Sequence, residues 1–182
     1  MKKPLFIHIP KAAGTSIGGI IKKYNQDLPP CLHNSVINYP KEYRDSCFVF
    51  SFARNLYDRL VSAHKYLVGG FGNNGDTKFG KTLSSDFKYF VKNQLNDNIS
   101  WLHFRPMMFW LNGDVDFVGK IENLQQDFDI VCKKIGIAQQ KLPQENKSKH
   151  KHYTEYYNKE IKQIVSDQYA KDIEYFRYKF GE

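Results

Sequence analysis

The chain has 182 residues, 41% of them hydrophobic, and a formal net charge of +8. That length and composition fit one globular domain with its own core and exclude a wholly disordered chain. The basic balance predicts an anionic partner, which charge by itself does not choose among nucleic acid, acidic lipid, acidic glycan and phosphorylated cofactor.

Leu5, Phe6, Ile7 and Ile9, with His8 inside the run, predict a short buried strand that stops at Pro10. Gly14-Thr15-Ser16 then opens an apolar-periodic helix through Ile17, Ile20, Ile21 and Tyr24. Such a junction aims unpaired backbone N–H groups and the positive end of a helix dipole at one point. Ala12, Ala13 and Gly14 carry too little side chain to block a close approach, Lys11 adds a cation, and Thr15 and Ser16 add hydroxyls. The stretch reads as a cradle for a tetrahedral oxyanion, phosphate or sulfate; the plainer reading is a strand-to-helix turn with Lys11 in solvent. The G-x-x-x-x-G-K-[ST] order of a nucleotide-triphosphate loop, whose Lys adjoins the Mg²⁺-holding hydroxyl, does not occur, so no metal site is expected.

Asn25 to Tyr39 is turn-rich and contains His33. Cys47 to Ala53, CFVFSFA, is the near-continuous apolar run of an inner parallel strand, and Arg54 sits at its carboxyl end, where open α/β sheets place ligand contacts. From Asn55 a second helix follows, with Leu56, Leu60, Val61, His64 and Leu67 at helical spacing. Gly69 to Gly80 is a glycine- and asparagine-rich linker, expected to be mobile and a possible lid. Ser84 is the expected cap of a helix carrying Phe87, Phe90, Val91 and Leu95. Ile99 to Leu111 is dense in aromatics, either core or the wall of a sugar-binding cleft, and carries Trp101, His103 and Arg105. Val115 to Ile121 predicts a strand and Leu124 to Ile135 an amphipathic helix. A basic loop at Glu145 to Tyr153 precedes two closing helices; it is either a solvated charge run or a flap over a phosphate.

Three widely spaced cysteines, Cys31, Cys47 and Cys132, without a C-x-x-C pair, argue against a disulfide framework or a zinc site and for a reducing compartment. Lys2 and Lys3 precede an apolar run too short for a signal peptide, and no window reaches the ~18 to 20 apolar residues of a spanning helix. The expectation is one soluble cytoplasmic domain over residues 1–182, with no internal repeat.

Three segments together resemble the carbohydrate sulfotransferases. HIPKAAGTS, His8 to Ser16, resembles their 5′-phosphosulfate loop; FSFARNLYDRLVSAHKYL, Phe50 to Leu67, their 3′-phosphate strand, turn and helix; VDFVGKIENLQQDF, Val115 to Phe128, the strand and helix after the acceptor region. The tail from His152 is similar to their closing helices, and the nearest subgroup is the one that includes heparan sulfate 2-O-sulfotransferase and bacterial relatives. The chain departs from the family pattern with Asn55-Leu56 for Asn-Pro and with Ala13 for a second glycine.

The resemblance implies a P-loop-like three-layer α/β fold, with a central, mainly parallel sheet flanked by helices. It implies 3′-phosphoadenosine-5′-phosphosulfate (PAPS) as donor and the 3′,5′-bisphosphate (PAP) as product. Lys11, Ala12, Ala13, Gly14, Thr15 and Ser16 would hold the 5′ side, Arg54 and Ser62 the 3′-phosphate, and the loop with Lys147, Ser148 and Lys149 would cover the nucleotide. The acceptor would be a glycan or other hydroxyl compound, with Trp101 and Arg105 as its contacts. Sulfuryl transfer needs a base for the acceptor hydroxyl and neutralisation of the leaving oxygen. Lys11 suits the second task. For the first, a histidine is apt near neutral pH: His33 ranks first, by likeness to the 2-O-sulfotransferase subgroup, and His103 second, while His8 is read as structural. The rival readings are a P-loop nucleotide kinase or NTPase and a basic nucleic-acid-binding module.

Overall fold

CFVFSFA forms a strand whose residues are nearly all buried, as a central parallel strand requires. The computed structural model describes residues 2–24, 33–112, 115–143 and 151–182. In chain order, β1 (Lys3–Ile7) leads to α1 (Gly14–Ile21), α2 (Lys41–Ser46) and β2 (Cys47–Ala53). Then come α3 (Leu56–Val68), α4 (Asn74–Gly80), α5 (Phe87–Asn93), α6 (Leu95–Asn98), β3 (Phe117–Lys120), α7 (Leu124–Ile135), α8 (Lys159–Gln168) and α9 (Ala170–Phe176). The chain divides into two compact units, Met1–Arg54 with Met107–Lys147, and Asn55–Pro106 with Ser148–Glu182.

In the first unit the sheet is parallel throughout, in the order β1-β2-β3, as expected for an α/β protein. Period-2 alternation sends Phe6, Phe50 and Phe52 to one face. There they meet Ile17, Ile20 and Ile21 of α1 and Phe128, Val131, Cys132 and Ile135 of α7. Each such side chain stabilises the fold by about 1.5–3 kcal/mol when fully buried. Asp116 fixes the start of β3 by a reciprocal pair: its carboxylate accepts from Val49 N at 2.7 Å and its own N–H donates to the Val49 carbonyl at 2.8 Å. Helix α7 ends as its sequence dictates, on Gly136 at φ 74°, with Ile137 N donating back to the Cys132 carbonyl at 3.0 Å. Helix α2 has no buried residue and hence no apolar period by which the sequence could have revealed it.

The second unit starts at Asn55, whose side chain caps α3 by accepting from Tyr57 N at 3.1 Å. The same amide donates to the Lys179 carbonyl at 2.9 Å, which ties the chain's last turn to the first turn of α3. Two expectations need correcting here. The stretch read as a mobile linker is largely helix α4, and Gly80 packs so tightly that a Cβ would overlap the Leu67 carbonyl of α3. The cap of α5 is Asp86, which accepts from Lys88 N and Tyr89 N, while Ser84 Oγ only accepts from Asp86 N. Buried Arg59 donates to the carbonyls of His103 and Arg105 at 3.3 and 2.9 Å, and Tyr169 donates to the Phe104 carbonyl between them at 2.6 Å. These contacts hold the irregular 103–105 backbone where no regular structure supplies partners.

Candidate active site

Strands β1 and β2 are parallel neighbours with Ile7 opposite Ser51, so the residues after each leave the sheet at one edge. Ser51 Oγ donates to the Ile7 carbonyl at 2.7 Å and closes the ladder there. Beyond it the chain turns through 8–13 into α1, with Lys11 at φ 67° and Ala13 at φ 59°. Left-handed backbone at a residue other than glycine costs of order 1–3 kcal/mol and tends to occur at ligand sites. Ala13, the N-cap of α1, has no side-chain oxygen, so no side chain caps the helix. The first-turn N–H groups and the dipole of α1 thus face the cradle uncapped.

Arg54, half-buried, follows β2 and donates through Nη1 to the Lys11 carbonyl at 3.3 Å. The two cations singled out in the sequence, 43 residues apart, therefore share one edge of the sheet. A guanidinium carries five N–H donors in a fixed planar fork, a geometry suited to phosphate oxygens.

His8 differs from its sequence reading. It lies beyond the end of β1, not inside it, and its ring packs 5.8 Å from Phe6 and 4.2 Å from His33, centroid to centroid. The ring also fills the space above Gly14, where a Cβ would overlap the imidazole. Whatever else approaches the loop, a side chain at position 14 would collide with the His8 ring. His33 Nδ1 lies 3.2 Å from the His8 carbonyl. A carbonyl only accepts, so Nδ1 carries the proton, and the neutral ring presents Nε2 as its basic nitrogen. The loop behind His33 is anchored by Ser35 Oγ donating to the Phe109 carbonyl at 3.0 Å and Val36 N to the Trp110 carbonyl at 2.9 Å.

The structure thus gathers Lys11 to Ser16, His33 and Arg54 in the first unit, whereas Ser62, Trp101, His103 and Arg105 belong to the second. Ser62 is on the buried side of α3. His103 is 5% exposed, with Nε2 held 3.3 Å from an Asp76 carboxylate oxygen and the Tyr66 ring edge-on at 5.1 Å, an environment that shields it from an acceptor hydroxyl. Trp101 stacks on Phe79 at 3.8 Å and, with Arg105, Asp76 and Ser100, lines an open cleft of about 400 Å³. Lys147, Ser148 and Lys149 lie outside the described residues. The sequence reading of His8 as structural did not foresee that its ring packs between those of Phe6 and His33 and over Gly14.

A three-stranded parallel sheet flanked by helices, with Lys11 and Arg54 following adjacent strands at one end of it, defines an α/β protein of the P-loop-like class. The pattern of the sulfotransferase family matches residues 2–179. The chain belongs to the sulfotransferase family and is a transferase of that class. Over 101 residues it is 31% identical to an uncharacterized protein of Archaeoglobus fulgidus, an alignment that covers 55% of this chain and 77% of that one. No solved structure matches it. Among the described residues no helix is long and apolar enough to cross a membrane, and no group of three or more His, Cys, Asp or Glu is placed to hold a metal ion.

Proposed function

We propose that the chain transfers the sulfuryl group of PAPS to a hydroxyl of a carbohydrate acceptor, without a metal. The observation that carries this reading is the meeting of Arg54 and Lys11 at one sheet edge, 3.3 Å from guanidinium to carbonyl. Two cations and an uncapped helix start on one edge suit a ligand with phosphate at both ends of an adenosine.

In this reading the loop N–H groups and Lys11 bind the 5′-phosphosulfate, and Arg54 binds the 3′-phosphate. His33 Nε2 takes the acceptor's hydroxyl proton as the acceptor oxygen bonds to sulfur. The bond from sulfur to the bridging phosphate oxygen breaks, and PAP leaves with that electron pair. Lys11 offsets the charge growing on the bridging oxygen, a contribution typically of ~3–4 kcal/mol per well-placed donor. His33 is preferred over His103 as base because its Nδ1 contact fixes the basic nitrogen, whereas His103 Nε2 faces Asp76.

Calorimetric titration tests the donor assignment. Arg54→Ala should weaken PAP binding by roughly 10–100-fold, the worth of a charged hydrogen bond of about 1.5–3 kcal/mol. Adenosine 5′-phosphosulfate, which lacks the 3′-phosphate, should lose less than about threefold by the same reasoning. Equal losses for both ligands overturn the role given to Arg54.

A further inference from the structure

We propose that His8 is a positioning residue that couples the oxyanion loop to the base, an inference that rests on the reading of His33 as that base. Three contacts meet on this one residue. Its carbonyl lies 3.2 Å from His33 Nδ1 and fixes the tautomer of that ring. Its own ring lies 4.2 Å from the His33 ring, tilted by 41°, and so supports the plane in which Nε2 is presented. That same ring rests on Gly14, the first residue of α1, closely enough to exclude any side chain there.

The consequence is mechanical. Close-packed groups do not move independently, so an anion that draws the start of α1 toward itself also shifts the His8 ring and, through it, the His33 imidazole. Filling of the loop and alignment of the base become one event. General-base catalysis requires the base within hydrogen-bond reach of the proton it takes, so a misplaced His33 lowers turnover and leaves nucleotide binding largely intact. His8 acts through His33 and has no proton-transfer step of its own.

The test uses the full chain with His8→Ala, Gly14→Ala and the double variant. Nitrogen-15 spectra of histidine-labelled wild type should show His33 with its proton on Nδ1 and a ring signal that moves when PAP is added. In His8→Ala that movement should disappear and kcat should fall at least about tenfold, since small misplacements of reacting groups cost that much or more. The KM for PAPS should stay within about threefold, the signature of a group that acts on the chemical step. Gly14→Ala should lose turnover because its Cβ expels the ring, and the double variant should be no worse than His8→Ala. His8→Asn serves the same comparison if His8→Ala does not fold.

A His33 proton on Nε2, wild-type turnover in His8→Ala, or losses at 8 and 14 that simply multiply each overturn the proposal. If PAP fails to bind wild type, the donor reading falls on that result. The His33 tautomer and a double-mutant cycle on unfolding at positions 8 and 14 still decide whether the residues are coupled.

Discussion

His64 shows how one histidine can be read as merely helical in sequence and yet set a pH response. It sits on the buried face of α3, with its ring 5.4 and 4.8 Å from those of Phe87 and Phe90. Its Nε2 donates to the Ser84 carbonyl at 2.8 Å, and its Nδ1 is buried without a hydrogen-bond partner among the described residues. Burial holds its pKa below the usual 6.5, with the Ser84 carbonyl acting in the opposite direction. The unfolded chain therefore binds more protons at this site than the folded one as pH falls below 6.5, and stability drops through that window down to the lowered folded pKa. Thermal unfolding followed from pH 7.5 to pH 5 should show this acid-side loss. The difference between wild type and His64→Phe should isolate it, and identical slopes for the two proteins would contradict it. Arg54 was legible from its place at a strand's end. Arg59 was not, because a buried guanidinium that holds two carbonyls leaves no mark in hydrophobic periodicity.

At the scale of elements, what the sequence made plain was what periodicity encodes. The β2 run and the α7 helix were recognisable because a covered strand and a one-sided helix each need their own apolar spacing. Helix α4 was hidden because Gly72, Gly75 and Gly80 among polar residues signal a loop, whereas Gly80 is there to let two backbones approach. Two helical glycines should therefore respond oppositely to alanine. At Gly19 on α1 a Cβ meets nothing within 4 Å, so Gly19→Ala should stabilise the fold. The expected gain is about 0.5–1 kcal/mol, from helix propensity. At Gly80 the same methyl drives α4 off the Leu67 carbonyl of α3, and overpacking of roughly 1–3 kcal/mol should exceed the propensity gain. Urea denaturation of both variants checks the signs; destabilisation at 19 or stabilisation at 80 would refute the packing described for that helix.

The whole molecule carries a formal charge of +8, and what distinguishes the proposed enzyme from its rivals is which anion it stabilises and on what terms. An NTPase needs Mg²⁺ to bridge phosphates, and a nucleic-acid-binding module loses affinity steeply with salt as counterions are released. The cradle between β1 and α1, with Lys11 and Arg54 beside it, supplies N–H donors and two cations of its own. A 3′,5′-bisphosphate should therefore bind equally well in EDTA and in Mg²⁺. Binding to the folded state alone stabilises it by about 2.7 kcal/mol at 100 times Kd. For a chain of this size that corresponds to a rise in Tm of roughly 5–10 °C. Thermal melts with PAP should show that rise in EDTA, unchanged by Mg²⁺, in the transition of the unit that contains Lys11 and Arg54. ATP with Mg²⁺ should raise Tm less than PAP does, because it lacks the 3′-phosphate that Arg54 is proposed to hold. A larger shift with ATP and Mg²⁺ than with PAP would move the chain from sulfuryl to phosphoryl chemistry.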